Sequence, residues 1–205
     1  MQTHFQVLIS NGLEIWHKSL YCKISPFLIS INFNGFNMET LKQLYIEQLQ
    51  DLYSAETQLL EALPSLALKA NTESLETCFR SHIDNAQQHI QQLEALIHRN
   101  TTEAPGGHTC HAMTGLIRET GEALRNVGSE IVVDVHLLSN GQRVVHYQIV
   151  GYDVAAAIAN ALDKDEDNSS LKECHSNCKD TLSELEKIAD GGLFSTGLIE
   201  KSAEN

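Results

Sequence analysis

"EIVVDVHLLSNGQRVVHYQIVGY", residues 130–152, is the stretch on which the fold class turns. β-Branched residues crowd both sides of Ser139-Asn140-Gly141, and an Asn-Gly pair in that setting is a strong hairpin signal. As a hairpin, the stretch makes a mixed α and β protein; as a helix, it completes an all-helical one. The residues that follow, "YDVAAAIANAL" at 152–162, are helical in character. Local propensity leaves 130–152 evenly balanced between hairpin and helix, and the residues alone do not break the tie.

The segments around it read as helices. Residues 41–63 place Leu41, Leu44, Ile46, Leu49, Leu52, Ala55, Leu59 and Leu63 on one side of an amphipathic helix, which Pro64 should kink. Asn71 or Thr72 can cap a second helix running through "LETCFRSHIDNAQQHIQQLEALIH" to about His98. "RNTTEAPGG" is a loop, and "CHAMTGLIRETGEALRNV" a shorter amphipathic helix. After the polar "LDKDEDNSS", Ser170 and Glu173 suggest a capping box for a last helix, 171–189.

Composition narrows the function. Aromatics are 6% and prolines number three, which favours helices over a sandwich of strands. A net charge of −13 repels phosphate backbones and anionic lipid, so neither nucleic acid nor a membrane surface is an expected partner. No apolar run approaches the roughly 20 residues of a membrane span. The five cysteines, Cys22, Cys78, Cys110, Cys174 and Cys178, are odd in number and scattered, which reads as reduced thiols in a cytoplasmic protein.

Residues 1–37 stand apart. They hold Trp16, the sole tryptophan, four of six phenylalanines and a net charge of +1, against −14 for residues 38–205. We expect an atypical leader, disordered or translated from upstream of a true start at Met38. A helical domain over 38–190 and a flexible tail over 191–205 complete the expected organisation.

Four blocks taken together, "LYIEQLQDLYSAETQLLEALPSLA", "FRSHIDNAQQHIQQLE", "TCHAMTGLI" and "VVHYQIVGY", resemble in order and spacing the YciE/YciF-type ferritin-like proteins, a bacterial family linked to stress responses. The likeness covers roughly residues 38–190. It implies an all-α fold, a ferritin-like antiparallel four-helix bundle plus one shorter helix, with 129–161 helical despite its "SNG".

The resemblance also implies a metal pair inside the bundle, held by glutamates, histidines and a Glu-x-x-His step. The first-helix glutamate is present as Glu56. The Glu-x-x-His step falls on Asp84 and Gln87, the glutamates flanking His-Tyr on Val145 and Gln148, and an acidic run in the last helix on Asn177 and Cys178; a later aspartate falls on Leu182. Of these positions only Glu56 and Asp84 keep a carboxylate, and two anions do not balance two divalent cations. The inherited site therefore reads as degenerate, its remnant positions being Glu56, Asp84, Gln87, Gln148 and Asn177. We expect these to form a buried hydrogen-bond network with no cofactor, or at most iron or another divalent metal at a partial site.

With Asp84 and Gln87 taken as the inner face, His82 and His89 lie about 170° away at 100° per residue, as solvated or interface histidines. Cys174 and Cys178 share one helix face beside His175 but lack paired C-x-x-C spacing; His108, Cys110 and His111 form a comparably weak donor group. The expected function is that of a homodimeric structural or interaction bundle in a stress response. Alternatives are an active non-haem di-iron oxidoreductase or ferroxidase, and a thiol-based metal or redox sensor on Cys174 and Cys178.

Overall fold

A repeat of buried positions alternately three and four residues apart organises all four long helices. Helix α1, Leu41–Ala67, buries Tyr45, Leu49, Leu52, Glu56, Leu59 and Leu63. Helix α2, Glu73–Asn100, buries Leu75, Phe79, His82, Ala86, His89, Leu93 and Leu96. Helix α4, Glu130–Ala161, and helix α5, Asp165–Ile188, repeat the pattern through Asp134, Leu138, Val145, Gln148 and Tyr152, and through Asp167, Leu171, Cys174, Cys178, Thr181 and Leu185. A mean repeat of 3.5 residues keeps one seam facing the neighbours when helices lie nearly alongside each other. The short helix α3, His111–Ala123, continues into a tight turn at Leu124–Asn126. The computed structural model describes residues 40–193, so the expected leader at 1–37 and most of the expected tail lie outside the described residues.

Buried carboxylates fix how the helices run. Asp167, near the start of α5, accepts hydrogen bonds from Tyr45 near the start of α1 (3.1 Å) and from Arg99 and Asn100 at the end of α2 (both 2.7 Å). At the other end Asp134, near the start of α4, accepts from the backbone N–H groups of Asn71 (2.8 Å) and Thr72 (2.9 Å). Helices α1 and α5 therefore run one way, α2 and α4 the other. The cap of α2 comes from Asp134 across the bundle, since Thr72 makes no side-chain cap bond of its own. The result is the all-α ferritin-like bundle of four long helices plus one shorter one.

Helix α3 and the loop before it are pinned to α1. Gln50 donates to Ala104 O (3.1 Å) and accepts from Gly106 N (3.1 Å), and Ser54 Oγ accepts from Cys110 N (2.9 Å). Asp51 accepts from Tyr147 OH (2.7 Å) and lies 3.2 Å from His108 Nε2.

The balanced stretch 130–152 is helix throughout. Its Asn140 spends its polarity inside the helix, donating to His136 O and accepting from Arg143. Gly141 is there for packing: a Cβ at this position would lie 3.2 Å from the Phe79 ring. At Gly151 a Cβ would come within 2.8 Å of a Leu52 methyl, so α1 and α4 approach over bare backbone. Two smaller expectations are corrected. Ser170 lies inside α5, which begins five residues earlier at Asp165, because three acids (Asp165, Glu166, Asp167) already favour a helix start there. Leu41 is exposed, since the buried stripe of α1 begins at Tyr45. Among the described residues no helix is long and apolar enough to cross a membrane.

The turn into α5 yields a stability prediction. Asp163 has φ +56°, and the flanking bonds from Asp163 N to Asn160 O and from Lys164 N to Ala159 O form a Schellman cap around it. Glycine adopts this left-handed conformation without the Cβ penalty. Replacing Asp163 with Gly should raise the unfolding free energy by about 0.5–1 kcal/mol, read from urea denaturation monitored by circular dichroism.

Candidate functional site

Midway along the bundle, α1 presents Glu56 to the interior, where it is fully buried. An unpaired carboxylate there would be costly, and the neighbouring helices supply its partners. Tyr152 OH donates to Glu56 Oε1 at 2.7 Å, Gln148 Nε2 at 2.9 Å and His89 Nδ1 at 3.2 Å. His82 Nε2 in turn donates to Gln148 Oε1 at 3.1 Å, so the network runs from α1 through α4 to a second imidazole on α2. The rings of His89 and Tyr152 meet edge-on with centroids 5.3 Å apart. Glu56 Oε2 and His89 Nε2 are buried without a hydrogen-bond partner.

Helix α5 closes the centre with thiols. Cys174 and Cys178 are buried, and the Cys174 thiol donates to Gln92 Oε1 at 2.6 Å. Burial, then the Glu56 charge, pushes both thiols well above the ordinary range, so both are protonated. Burial pushes Glu56 up as well. The hydrogen bond and charge of His89, with help from Tyr152 and His82, outweigh it and bring the carboxyl below its ordinary value. His82 is held below its ordinary value by burial, opposed by the Glu56 charge and the Gln148 bond.

The structure brings together two of the expected remnant positions, Glu56 and Gln148. Asp84 and Gln87 are exposed on the outer face of α2, and Asn177 sits half-buried at the edge of α5. Asp84 is thus out of reach of a shared ion with the buried Glu56. The placing of His82 and His89 on the outside is overturned: they are 2% and 0% exposed. The signal for them was present, because the stripe Leu75, Phe79, Ala86, Leu93 passes through positions 82 and 89 at alternating steps of four and three. Val145, at an inherited ligand position, is fully buried and contributes only packing. His108 pairs with Asp51 at the surface and His111 is exposed, so neither joins the centre. Among the described residues no group of three His, Cys, Asp or Glu side chains is placed to hold a metal ion.

Comparison with known proteins agrees with this architecture. A family model described as a domain of unknown function, DUF892, matches residues 40–196. Protein YciF of Escherichia coli (strain K12) is 32% identical over 171 residues, covering 82% of this chain and 98% of its own. The crystal structure of the E. coli stress protein YciF superposes with a TM-score of 0.70 at 31% identity, over 74% of this chain and 96% of that one. YcfI from Rhodopseudomonas palustris, described as a candidate structural protein, superposes with a TM-score of 0.71 at 28% identity, over 75% and 98%.

Two predictions follow from the centre itself. Glu56→Leu strands three buried donors and should cost about 3 kcal/mol or more of stability, measured by urea denaturation; Glu56→Gln, which keeps an acceptor oxygen, should cost less. The second concerns pH. His82 is depressed in the folded state, so its contribution is full above 6.5 and is lost as pH falls from there towards its folded value. Glu56 is also depressed, so its contribution is full above 4.5 and is lost as pH falls through its folded value. The melting temperature should therefore drop in two stages on acidification, and His82→Gln should remove the first.

Proposed function

The chain belongs to the DUF892 family, and on that premise we propose that it is a stress-associated structural or interaction bundle whose di-metal centre has been replaced by a hydrogen-bonded polar core. One observation carries this reading: Glu56 Oε1 is already occupied by three protein donors. A pair of hard cations needs several oxygen donors, and carboxylates to balance their charge. The centre offers one carboxylate. The other buried acids, Asp134 and Asp167, cap and tie the two ends of the bundle. Where the resemblance implies further ligands, this chain carries Val145, Gln148, Asn177 and Cys178. These residues do not fit such a pair.

The stress association rests on the relative's description as a stress protein, and the structural role on the description of the R. palustris protein. A cytoplasmic location is supported by four free thiols among the described residues, Cys78, Cys110, Cys174 and Cys178. A homodimer belongs to the same proposal and is tested by light scattering on the purified chain.

Iron titration tests the central claim. Ferrous iron added anaerobically to the full chain, followed by air, should give neither stoichiometric iron nor oxo-bridged absorbance. Two tightly held irons per chain would overturn the reading.

A further inference from the structure

We propose that the outward face of α4 from Val150 to Ala161 is where two copies of this chain meet, packed antiparallel about a two-fold axis at the level of Val154. The inference rests on the homodimer proposed above and names its contact face.

Among the described residues five large apolar side chains are exposed, and three of them, Val132, Val150 and Val154, lie on α4. Val150 is 61% exposed and Val154 42%. With the exposed Ala157 and Ala161 they recur at steps of four, three and four, so one apolar stripe runs down the solvent side of the helix. The opposite side of the same turns buries Tyr152, Ala155, Ala156 and Ala159 in the core. A helix packed on one side alone keeps a polar outer face, whereas one that is apolar on both sides is covered on both. Helix α1 runs the other way with Leu52 against Gly151, so Leu41, eleven residues earlier, stands level with the end of α4 and adds an exposed apolar side chain there.

Charge selects the occupant. The chain carries a net charge of −13, so two copies repel over most of their surface. From residue 135 to 162, α4 carries one acid, Asp153, and one arginine, Arg143. Asp153 projects about 70° to the side of the stripe at 100° per residue, at a rim where water and salt screen it. The ends of the stripe differ in sign. Arg143, 53% exposed and 3.5 Å from Glu119, and the exposed His146 precede it. The exposed Asp163, Asp165 and Glu166 follow it in the turn into α5. Val154 stands roughly 12–17 Å from either end at 1.5 Å per residue. A two-fold axis there lays the basic end of each copy over the acidic end of the other and sets Val154 against its own mate. Such self-complementarity is what an isologous contact requires. A basic partner would find its counterpart on the acidic helices, not on this neutral stripe.

Sedimentation velocity on the full chain over a concentration series is the test, and a reversible dimer is the expected result. Val150→Glu with Val154→Glu should weaken association by roughly 100-fold or more, because unpaired like charges are then buried at the centre of the contact. Both side chains are exposed in the single chain, so this variant should keep the wild-type circular dichroism spectrum. Arg143→Glu should weaken the dimer roughly 2–10-fold, and adding Asp165→Lys should recover it. Val154→Cys should form a disulfide-linked dimer on mild oxidation with diamide, whereas Leu68→Cys, at the 77% exposed position beyond α1, should not. A dimer that persists unchanged in the Val150→Glu/Val154→Glu variant overturns this face and leaves the homodimer standing. A wild-type chain that stays monomeric overturns both.

Discussion

The bundle is organised around one buried charge. Glu56 sits where water does not reach, and an ionised carboxylate in such a place is tolerable only when donors converge on it. Its three donors come from α2 and α4, so the carboxylate holds three of the four long helices to a single arrangement. Sliding α2 by one residue would move His89 by about 1.5 Å along the axis and 100° around it, and the bond would be gone. A repeating apolar seam tolerates slips by whole heptads, because leucine meets leucine again. A hydrogen-bonded carboxylate does not.

Two further carboxylates repeat the device at the ends. Asp134 joins the start of α4 to the start of α2, and Asp167 joins the starts of α1 and α5 to the end of α2. Together the three acids fix register at the bottom, middle and top of the molecule. The Asp167 cluster also neutralises itself, with Arg99 at 2.7 Å, while Asp134 is matched only by neutral N–H donors at a helix N-terminus, where the aligned peptide dipoles favour an anion. Glu56 has neither an arginine nor a helix end. Its partners are imidazole, amide and phenol, which makes the centre the part of the core most sensitive to protonation.

Much of the fold was legible in the sequence because helix formers, apolar spacing and loop residues agreed with one another. Where they disagreed, packing won. Gly141 looks like a turn residue and is a contact surface for Phe79; the β-branched residues beside it fill a helix that is apolar nearly all round. The centre was legible only in part. Glu56 and Gln148 were found through the resemblance, but the same alignment set the inner face of α2 by Asp84 and Gln87. The apolar stripe of that helix would have set it by Phe79 and Ala86, and so turned His82 and His89 inward. The shared face of Cys174 and Cys178 was visible as an i, i+4 step, and its inward direction follows from Leu171 and Leu185. Tyr152 lay in the "VVHYQIVGY" block of the resemblance, but nothing there marked its hydroxyl as a partner of Glu56. That its hydroxyl reaches a carboxylate 96 residues away is a consequence of the helix crossing, which no local pattern encodes.

The Glu56 network is asymmetric. A carboxylate oxygen has two lone pairs, and Oε1 receives three donors while Oε2, equally buried, receives none. A network shaped only for stability would share its donors between the two oxygens and leave no imidazole nitrogen bare, since each unpaired buried group carries a desolvation cost. Here Gln148, Tyr152 and His89 crowd one side of the carboxylate, and His89 Nε2 is left in the interior without a hydrogen-bond partner. Natural cores depart from full satisfaction mainly where a function holds them there. The bonds that fix Glu56 therefore also orient His89, and Glu56 Oε2 and His89 Nε2 are where this polar core stays incompletely paired.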